Sequence, residues 1–404
     1  MNIGFFTNTY LPAINGVTIA IEDYRKQLEK QGHNVFIFTA EHPGWEDENP
    51  NVFRFKSIDL NYKTSYPLPI IYSPRIGKVI RKLNLDIIHA HQFFLSGQIA
   101  WYHSRKLGIP LVFTYHTRYE LYTHYTPLPE ELAKPLTQAL ATFYANSCDA
   151  VIAPTKSIRD LLLEYKIKKP IFVIPAGVDV NRFKKISGKE KIRGKYNISQ
   201  DKILFLTVSR LGKEKNVSFL LKSFQKINKI EKDTFLMIVG DGPEKENLEK
   251  ESIKLGLAEK IIFTGRIPNQ KMPLYYSAAD IFLFSSTSET QGVIFVEAMA
   301  SGIPTVAIKA NGAKDIIIDG ETGFLTSENY DDFSQAVLKI ISNEDSRKKM
   351  SERAVKEAQI FSIEKSTSNL LSFYKKTIKQ ESEKREKGKN TLSRKIEMNI
   401  SKIL

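Results

Sequence analysis

Along this chain short apolar runs alternate with helical stretches from end to end, and that alternation leaves few folds open. Ile3–Phe6, Val35–Thr39, Asp86–His89, Leu111–Thr114, Ala150–Ala153 and Ile171–Ile174 read as strands in the first half. Ile203–Val208, Phe235–Val239, Ile261–Phe263, Ile281–Phe284 and Thr305–Ile308 read as strands in the second. Most stop at Gly, Ser, Thr, Asn or His before a helical stretch, the pattern of βαβ units and parallel sheets. Such crossovers are right-handed, and ligands gather at the carboxyl ends of the strands. The fold class expected is α/β, with two Rossmann-like domains facing a cleft. A length of 404 residues also favours two domains over one. Pro175-Ala176-Gly177-Val178-Asp179 closes a first domain, residues 1–180. Polar Lys184–Gln200 then leads into a second, residues 181–360.

One cysteine, Cys148, excludes an intrachain disulfide framework and suits a reducing cytoplasm. Met1-Asn2-Ile3-Gly4-Phe5-Phe6 lacks the basic start and the cleavage site of a signal peptide, so it reads as a first strand. No run approaches the ~18 apolar residues that span a bilayer. The net charge of +14 is patchy. Residues 51–85 hold 7 basic residues and one acid, Asp59, and residues 375–404 hold 10 basic and 4 acidic. That basic tail has few large apolar residues before Ile396, and is expected to be disordered or helical only on a surface.

The densest chemistry lies in Ser288-Glu289-Thr290-Gln291-Gly292-Val293-Ile294-Phe295-Val296-Glu297, behind the apolar run that ends at Phe284. A strand that ends in Ser, Thr, Glu and Gly and then opens a helix leaves unpaired backbone N–H groups, which attract phosphate. Ionised Glu289 and Glu297 suit sugar hydroxyls, which donate hydrogen bonds to them. Phosphate and hydroxyls together describe a nucleotide-sugar. After the first strand of the second domain, Arg210 and Lys215 supply two cations suited to a diphosphate, with Lys213 as a solvated neighbour.

The Glu-x7-Glu stretch resembles the signature of retaining glycosyltransferases of family 4, which have the two-domain GT-B fold; the resemblance runs from about residue 1 to residue 374. It implies that Glu297 binds the ribose and that Glu289 lies near the transferred sugar. Gln291, Gly292 and Val293 belong to the same donor loop, with Gln291 where many members carry Phe. Arg210 and Lys215 match the family's Arg-x4-Lys pair. The resemblance implies no metal and no cofactor, since the cations and the helix start do an ion's work, and no DxD motif follows a strand here.

Further positions follow from the same resemblance. His116 matches a cleft histidine beside the donor sugar or acceptor, and His89 and His91 close the preceding strand. Gly16, in the turn Asn15-Gly16-Val17, lies at the diphosphate, with Asn15 towards the acceptor. Gly240-Asp241-Gly242-Pro243 matches a turn that shapes the nucleotide pocket, and Ile267 sits in the loop whose backbone reads the base. Phe361–Tyr374 matches a helix that returns to the first domain.

Ile76, Val79, Ile80 and Leu83 repeat at helical spacing, while Arg75, Lys78 and Lys82 share another face. This basic amphipathic helix, with Tyr62, Tyr66 and Tyr72 before it, suits an anionic membrane surface. The whole N-terminal domain also resembles that of bacterial diacylglycerol glucosyltransferases, and the resemblance implies transfer of a hexose, glucose or galactose, from a UDP-sugar to a membrane lipid acceptor such as diacylglycerol, in glycolipid synthesis. The enzyme is expected to be peripheral on the inner face of the cell membrane. The alternatives are a sugar acceptor in cell-surface polysaccharide assembly, and a nucleotide-sugar-binding module without catalysis. Nucleic acid is not an expected partner, because no helix-turn-helix, RRM or zinc pattern gives the charge a form.

Overall fold

A computed structural model describes residues 1–400 apart from 43, 59–67, 70–73, 124, 125, 127 and 185–187. Its strands are β1 (Asn2–Phe6), β2 (Asn34–Ala40), β3 (Val52–Phe55), β4 (Ser57–Ile58), β5 (Leu68–Pro69), β6 (Ile87–Ala90), β7 (Leu111–Thr114), β8 (Ala150–Ala153) and β9 (Ile171–Val173). The second half adds β10 (Ile203–Val208), β11 (Thr234–Val239), β12 (Ile261–Gly265), β13 (Ile281–Phe284), β14 (Thr305–Ile308) and β15 (Gly323–Thr326).

One sheet runs β3-β2-β1-β6-β7-β8-β9 and the other β12-β11-β10-β13-β14-β15, every neighbour parallel. Both are doubly wound. The strand order reverses between β1 and β6 in the first sheet and between β10 and β13 in the second. Loops that leave those strands splay apart, and a crevice for ligand opens between them. Apolar cores cover both faces of each sheet, as parallel sheets require.

Two short elements of the sheets escape the alternation rule. In β3 the run Val52-Phe53-Arg54-Phe55 is interrupted by Arg54, whose guanidinium is satisfied by Asp47 and the Ala40 and Leu11 carbonyls. Edge strand β15 opens on a glycine and hides in a polar stretch. The small ribbon of β4 and β5 is also unforeseen.

The chain crosses between domains twice, and the crossings pair with one another. Val178 N–H donates to the Phe361 carbonyl at 3.0 Å, and Ile363 N–H donates to the Val178 carbonyl at 2.9 Å. Gly177 makes this approach possible, since a Cβ there would lie 2.5 Å from the Ile363 Cα. Val178, Val180 and Phe183 then enter the core of the second domain.

One sequence expectation is resolved and another needs correction. Of the tail's two expected states, disordered or helical on a surface, its described residues 375–400 take the helical one, as a continuation of one helix from Ile363 to Ile400. Its Leu370, Leu371, Phe373 and Tyr374 bury against the helix Gly16–Lys30 and the first sheet, and Arg385 still lies beside Gly108 of the first domain. The helix Pro74–Lys82 does not offer its apolar side to anything outside. Ile76 and Ile80 are buried in the first domain's core, leaving Arg75, Lys78, Arg81 and Lys82 exposed. Tyr62, Tyr66 and Tyr72 lie outside the described residues.

Candidate active site

Arg210, Lys215 and Glu289, among the predicted donor residues, meet at the second sheet's crevice. Arg210 and Lys215 leave β10, and Glu289 leaves β13, the two strands that flank the reversal of order. Two serines sew these loops together. Ser285 Oγ donates to the Lys215 and Asn216 carbonyls at 2.9 and 2.8 Å, and Ser286 Oγ donates to the Glu214 carbonyl at 3.1 Å. Lys215 Nζ donates to Glu289 Oε1 at 2.5 Å. Burial pulls the Lys215 ammonium down, but the adjacent Glu289 carboxylate, with Tyr122 and Glu214 adding to it, holds it above its ordinary range.

The Arg210 loop rests on the Gly240–Pro243 turn. Leu211 N–H donates to the Asp241 carbonyl at 2.9 Å, and Glu244 N–H donates to the Leu211 carbonyl at 3.0 Å. Gly240 has φ +144°, and a Cβ there would sit 1.8 Å from the Ser209 carbonyl oxygen. That glycine is what lets the cation loop seat.

Helix Val293–Ala300 begins at Gly292 with no side-chain cap and no acid in its first turn. No side chain caps the N–H groups of this first turn, the condition under which a helix start attracts an anion. One turn on, Glu297 Oε2 accepts from Tyr276 Oη at 2.8 Å. Burial pushes Glu297 up to about 7, against the opposing pull of that hydroxyl and of Arg182.

Val293, Glu297 and Arg182 of the second domain line a narrow cleft together with Gly16 and Asp23 of the first. Space beside Gly16 is open, since a Cβ there would meet nothing within 4 Å. Burial raises Asp23 to about 6, with Arg182 pulling the other way. Asp23, Arg182 and Tyr276 belong to no motif and escaped the sequence reading. Asp23 was within reach, because it follows Gly16 by seven residues on one helix and so shares its face.

On the first domain's side the histidines stack as a column. His89 and His91 have ring centroids 4.2 Å apart, and His91 and His116 have theirs 5.2 Å apart. His89 is structural, bonded through Nδ1 to Tyr374 Oη and through Nε2 to Thr114 Oγ1, both at 2.6 Å. His91 Nδ1 lies 2.9 Å from His116 Nε2, while its own Nε2 is buried without a hydrogen-bond partner. Burial lowers His116 to about 4 and keeps it a neutral imidazole near pH 7.

Two predicted contacts go elsewhere. Asn15 was assigned to the acceptor, but its Oδ1 accepts from Thr18 N–H at 2.9 Å as a helix cap, and its Nδ2 donates to Thr9 Oγ1. Gln291 was assigned to the donor, but its amide clasps the first domain instead. Ala176 N–H donates to Gln291 Oε1 at 2.6 Å, and Gln291 Nε2 donates to the Ala176 carbonyl at 2.9 Å. Beside it, Thr290 Oγ1 donates to the His116 carbonyl at 2.7 Å, and Thr155 Oγ1 donates to the Thr290 carbonyl at 2.9 Å. The loop that carries Glu289 is thus tied to the domain that carries His116. Ile267 packs, half-buried, against the second domain's core, and Arg266 Nη2 of that loop donates to the Ile14 carbonyl at 3.3 Å across the cleft.

Among the described residues no cluster of His, Cys, Asp or Glu could hold a metal ion, and no helix is long and apolar enough to cross a membrane.

Residues 14–182 match the family described as Glycosyltransferase Family 4, and residues 188–357 match Glycosyl transferases group 1. An alpha-monoglucosyldiacylglycerol synthase of Streptococcus pneumoniae is 34% identical over 343 residues, covering 82% of this chain and 76% of the relative. One from Acholeplasma laidlawii is 33% identical over 341 residues, covering 81% of this chain and 85% of the relative. The solved sucrose-phosphate synthase of Thermosynechococcus elongatus superposes with a TM-score of 0.79 at 19% identity, covering 93% of this chain and 98% of its own. With its two facing Rossmann-like domains of GT-B type, the chain belongs to glycosyltransferase family 4, its second half a group 1 glycosyltransferase domain.

Proposed function

We propose that this protein transfers glucose from UDP-glucose to diacylglycerol with retention of the anomeric configuration, without a metal ion. The observation that carries the reading is the Lys215–Glu289 pair, 2.5 Å apart at the second sheet's order reversal, with the uncapped helix start and Glu297 beside it. The product named for the two relatives, alpha-monoglucosyldiacylglycerol, supplies the sugar and the acceptor.

In this reading the diphosphate takes Lys215, Arg210 and the N–H groups at Val293, and Glu297 accepts from the ribose hydroxyls. The bond from the anomeric carbon to the diphosphate oxygen breaks, and negative charge grows on that oxygen. Fixed cations and N–H groups stabilise this charge more than the ground state, which is the condition for speeding the step. The acceptor hydroxyl attacks from the same face, and its proton passes to the departing phosphate oxygen. Glu289, released from Lys215 by the diphosphate, is free to accept from hydroxyls of the transferred sugar. The neutral His116 completes the wall opposite.

The test offers UDP-glucose and UDP-galactose, each in EDTA, with diacylglycerol in detergent micelles or with soluble sugars, and identifies the product by mass spectrometry and its anomer by NMR. An α-glucosyl lipid is expected. A β-anomer, a product only with sugar acceptors, or a strict need for added magnesium would each overturn part of the proposal.

A further inference from the structure

The helix Glu130–Ser147 packs inside out. Its buried side is made of Ala133, Ala141, Tyr144 and Ala145, while Leu132, Leu136, Leu140 and Phe143 point away from the protein. Leu132 is 64% exposed and Phe143 is 73% exposed, so the largest apolar groups of this helix meet water. Their spacing of four, four and three residues aligns them as one stripe along the helix. A folded chain gains nothing from such a stripe unless something covers it.

The surroundings say what covers it. Three helices lie side by side over the same core, Pro74–Lys82, Ser96–Leu107 and Glu130–Ser147. Gly77 of the first approaches His103 of the second, and Tyr144 Oη of the third donates to the Gly97 carbonyl of the second at 2.8 Å. Their outer sides therefore form one continuous face. The first presents Arg75, Lys78, Arg81 and Lys82 with no acid among them, and the second presents Trp101 and Tyr102, with Lys106 bonded to the Tyr102 hydroxyl. Of the two acids at the start of the third, Glu130 is paired with Lys134 and Glu131 is exposed. Cations, then interfacial aromatics, then an apolar stripe is the sequence of groups a bilayer surface accommodates. The same cations disfavour a second copy of this chain, whose matching face is equally positive.

We infer that the exposed side of Glu130–Ser147 inserts into an anionic lipid bilayer, with Arg75, Lys78, Arg81 and Lys82 on its headgroups and Trp101 and Tyr102 at the boundary. The inference deepens the lipid-acceptor proposal and rests on it for its purpose. The helix starts on the loop that follows His116, so the stripe begins at the cleft's side of the domain, where a membrane-dissolved acceptor would enter.

The test is sedimentation with vesicles of phosphatidylglycerol and phosphatidylcholine, at low salt and at about 1 M salt, where screening shortens to about 3 Å and attraction by the cations is lost. The wild-type chain should keep a salt-resistant bound fraction. The fourfold variant Leu132→Ser, Leu136→Ser, Leu140→Ser, Phe143→Ser should lose it, by roughly two orders of magnitude in partitioning. Its activity on diacylglycerol in detergent micelles should stay, and loss of that activity in the wild type would indict the acceptor reading instead. Independently, F143W in a chain with Trp45 and Trp101 replaced by Phe should shift its fluorescence to the blue when vesicles are added. Unchanged salt-resistant binding in the fourfold variant, an unshifted F143W spectrum, or a wild-type dimer that the substitutions split would overturn the inference.

Discussion

Lys215 and Glu289 neutralise each other at 2.5 Å, and a bound diphosphate would have to divide that pair. Lys215→Ala should therefore lower turnover by roughly two to three orders of magnitude, the scale of losing one fixed charge-stabilising group. Glu297→Ala should do so mainly through donor affinity. Circular dichroism should show both variants folded, and turnover equal to wild type in either would refute the site. Glu297 also predicts a pH effect. Burial places it at about 7, so it gains a proton as pH falls through neutrality and then accepts poorly from ribose hydroxyls. The Kd for UDP, followed by calorimetry, should rise below pH 7 more steeply in the wild type than in Glu297→Gln. Comparing the two cancels protonation of UDP itself, and Asp23→Asn checks the other raised carboxyl, at about 6. Parallel pH profiles would contradict the assignment. The convergence of Arg210, Lys215, Glu289 and Glu297 was legible in the sequence because the first three follow strand ends and Glu297 lies one turn into the helix behind Glu289. Asn15 and Gln291 have partners the reading did not give them: Asn15 caps its own helix at Thr18, three residues on, and Gln291 meets Ala176, a partner set by tertiary packing.

At the scale of elements, Glu289 depends on a loop held from both sides. Ser285 and Ser286 bind it to the Lys215 loop, and Gln291 and Thr290 bind it to the first domain. Gln291→Ala would strand the buried Ala176 N–H and carbonyl, at a cost of about 1–3 kcal/mol. Urea denaturation should show that loss, and an unchanged midpoint would mean the clasp contributes nothing. The strand alternation was readable because parallel strands buried on both faces are continuous apolar runs. β3 and β15 were not, because an arginine in one and a glycine in the other break the run while the neighbouring strand supplies the order. The amphipathic helix Pro74–Lys82 shows a further limit. Periodicity revealed its apolar stripe but not whether sheet or bilayer would cover it, and Ile76 and Ile80 lie on the sheet.

For the whole molecule, two crossings near Val178 and Phe361 are hydrogen-bonded to each other and form a compact hinge region. Gly16 and Asp23 of the first domain stand close to Glu297 and Arg182 of the second, so a ligand held between them would be gripped from both domains. Small-angle scattering should then show a smaller radius of gyration with saturating UDP than without, as the ligand draws open molecules shut. Identical curves would mean a rigid cleft. The two-domain plan was visible from length and alternation alone, whereas the continuous helix Ile363–Ile400 was obscured by its charge. The most direct test of the account is transfer of labelled glucose from UDP-glucose to diacylglycerol in anionic liposomes, in EDTA, by the wild-type chain and by Lys215→Ala and Glu297→Ala. The account predicts an α-glucosyl lipid from the wild type and roughly a hundredfold less or none from either variant; no lipid product from the wild type, or equal product from all three, would contradict it.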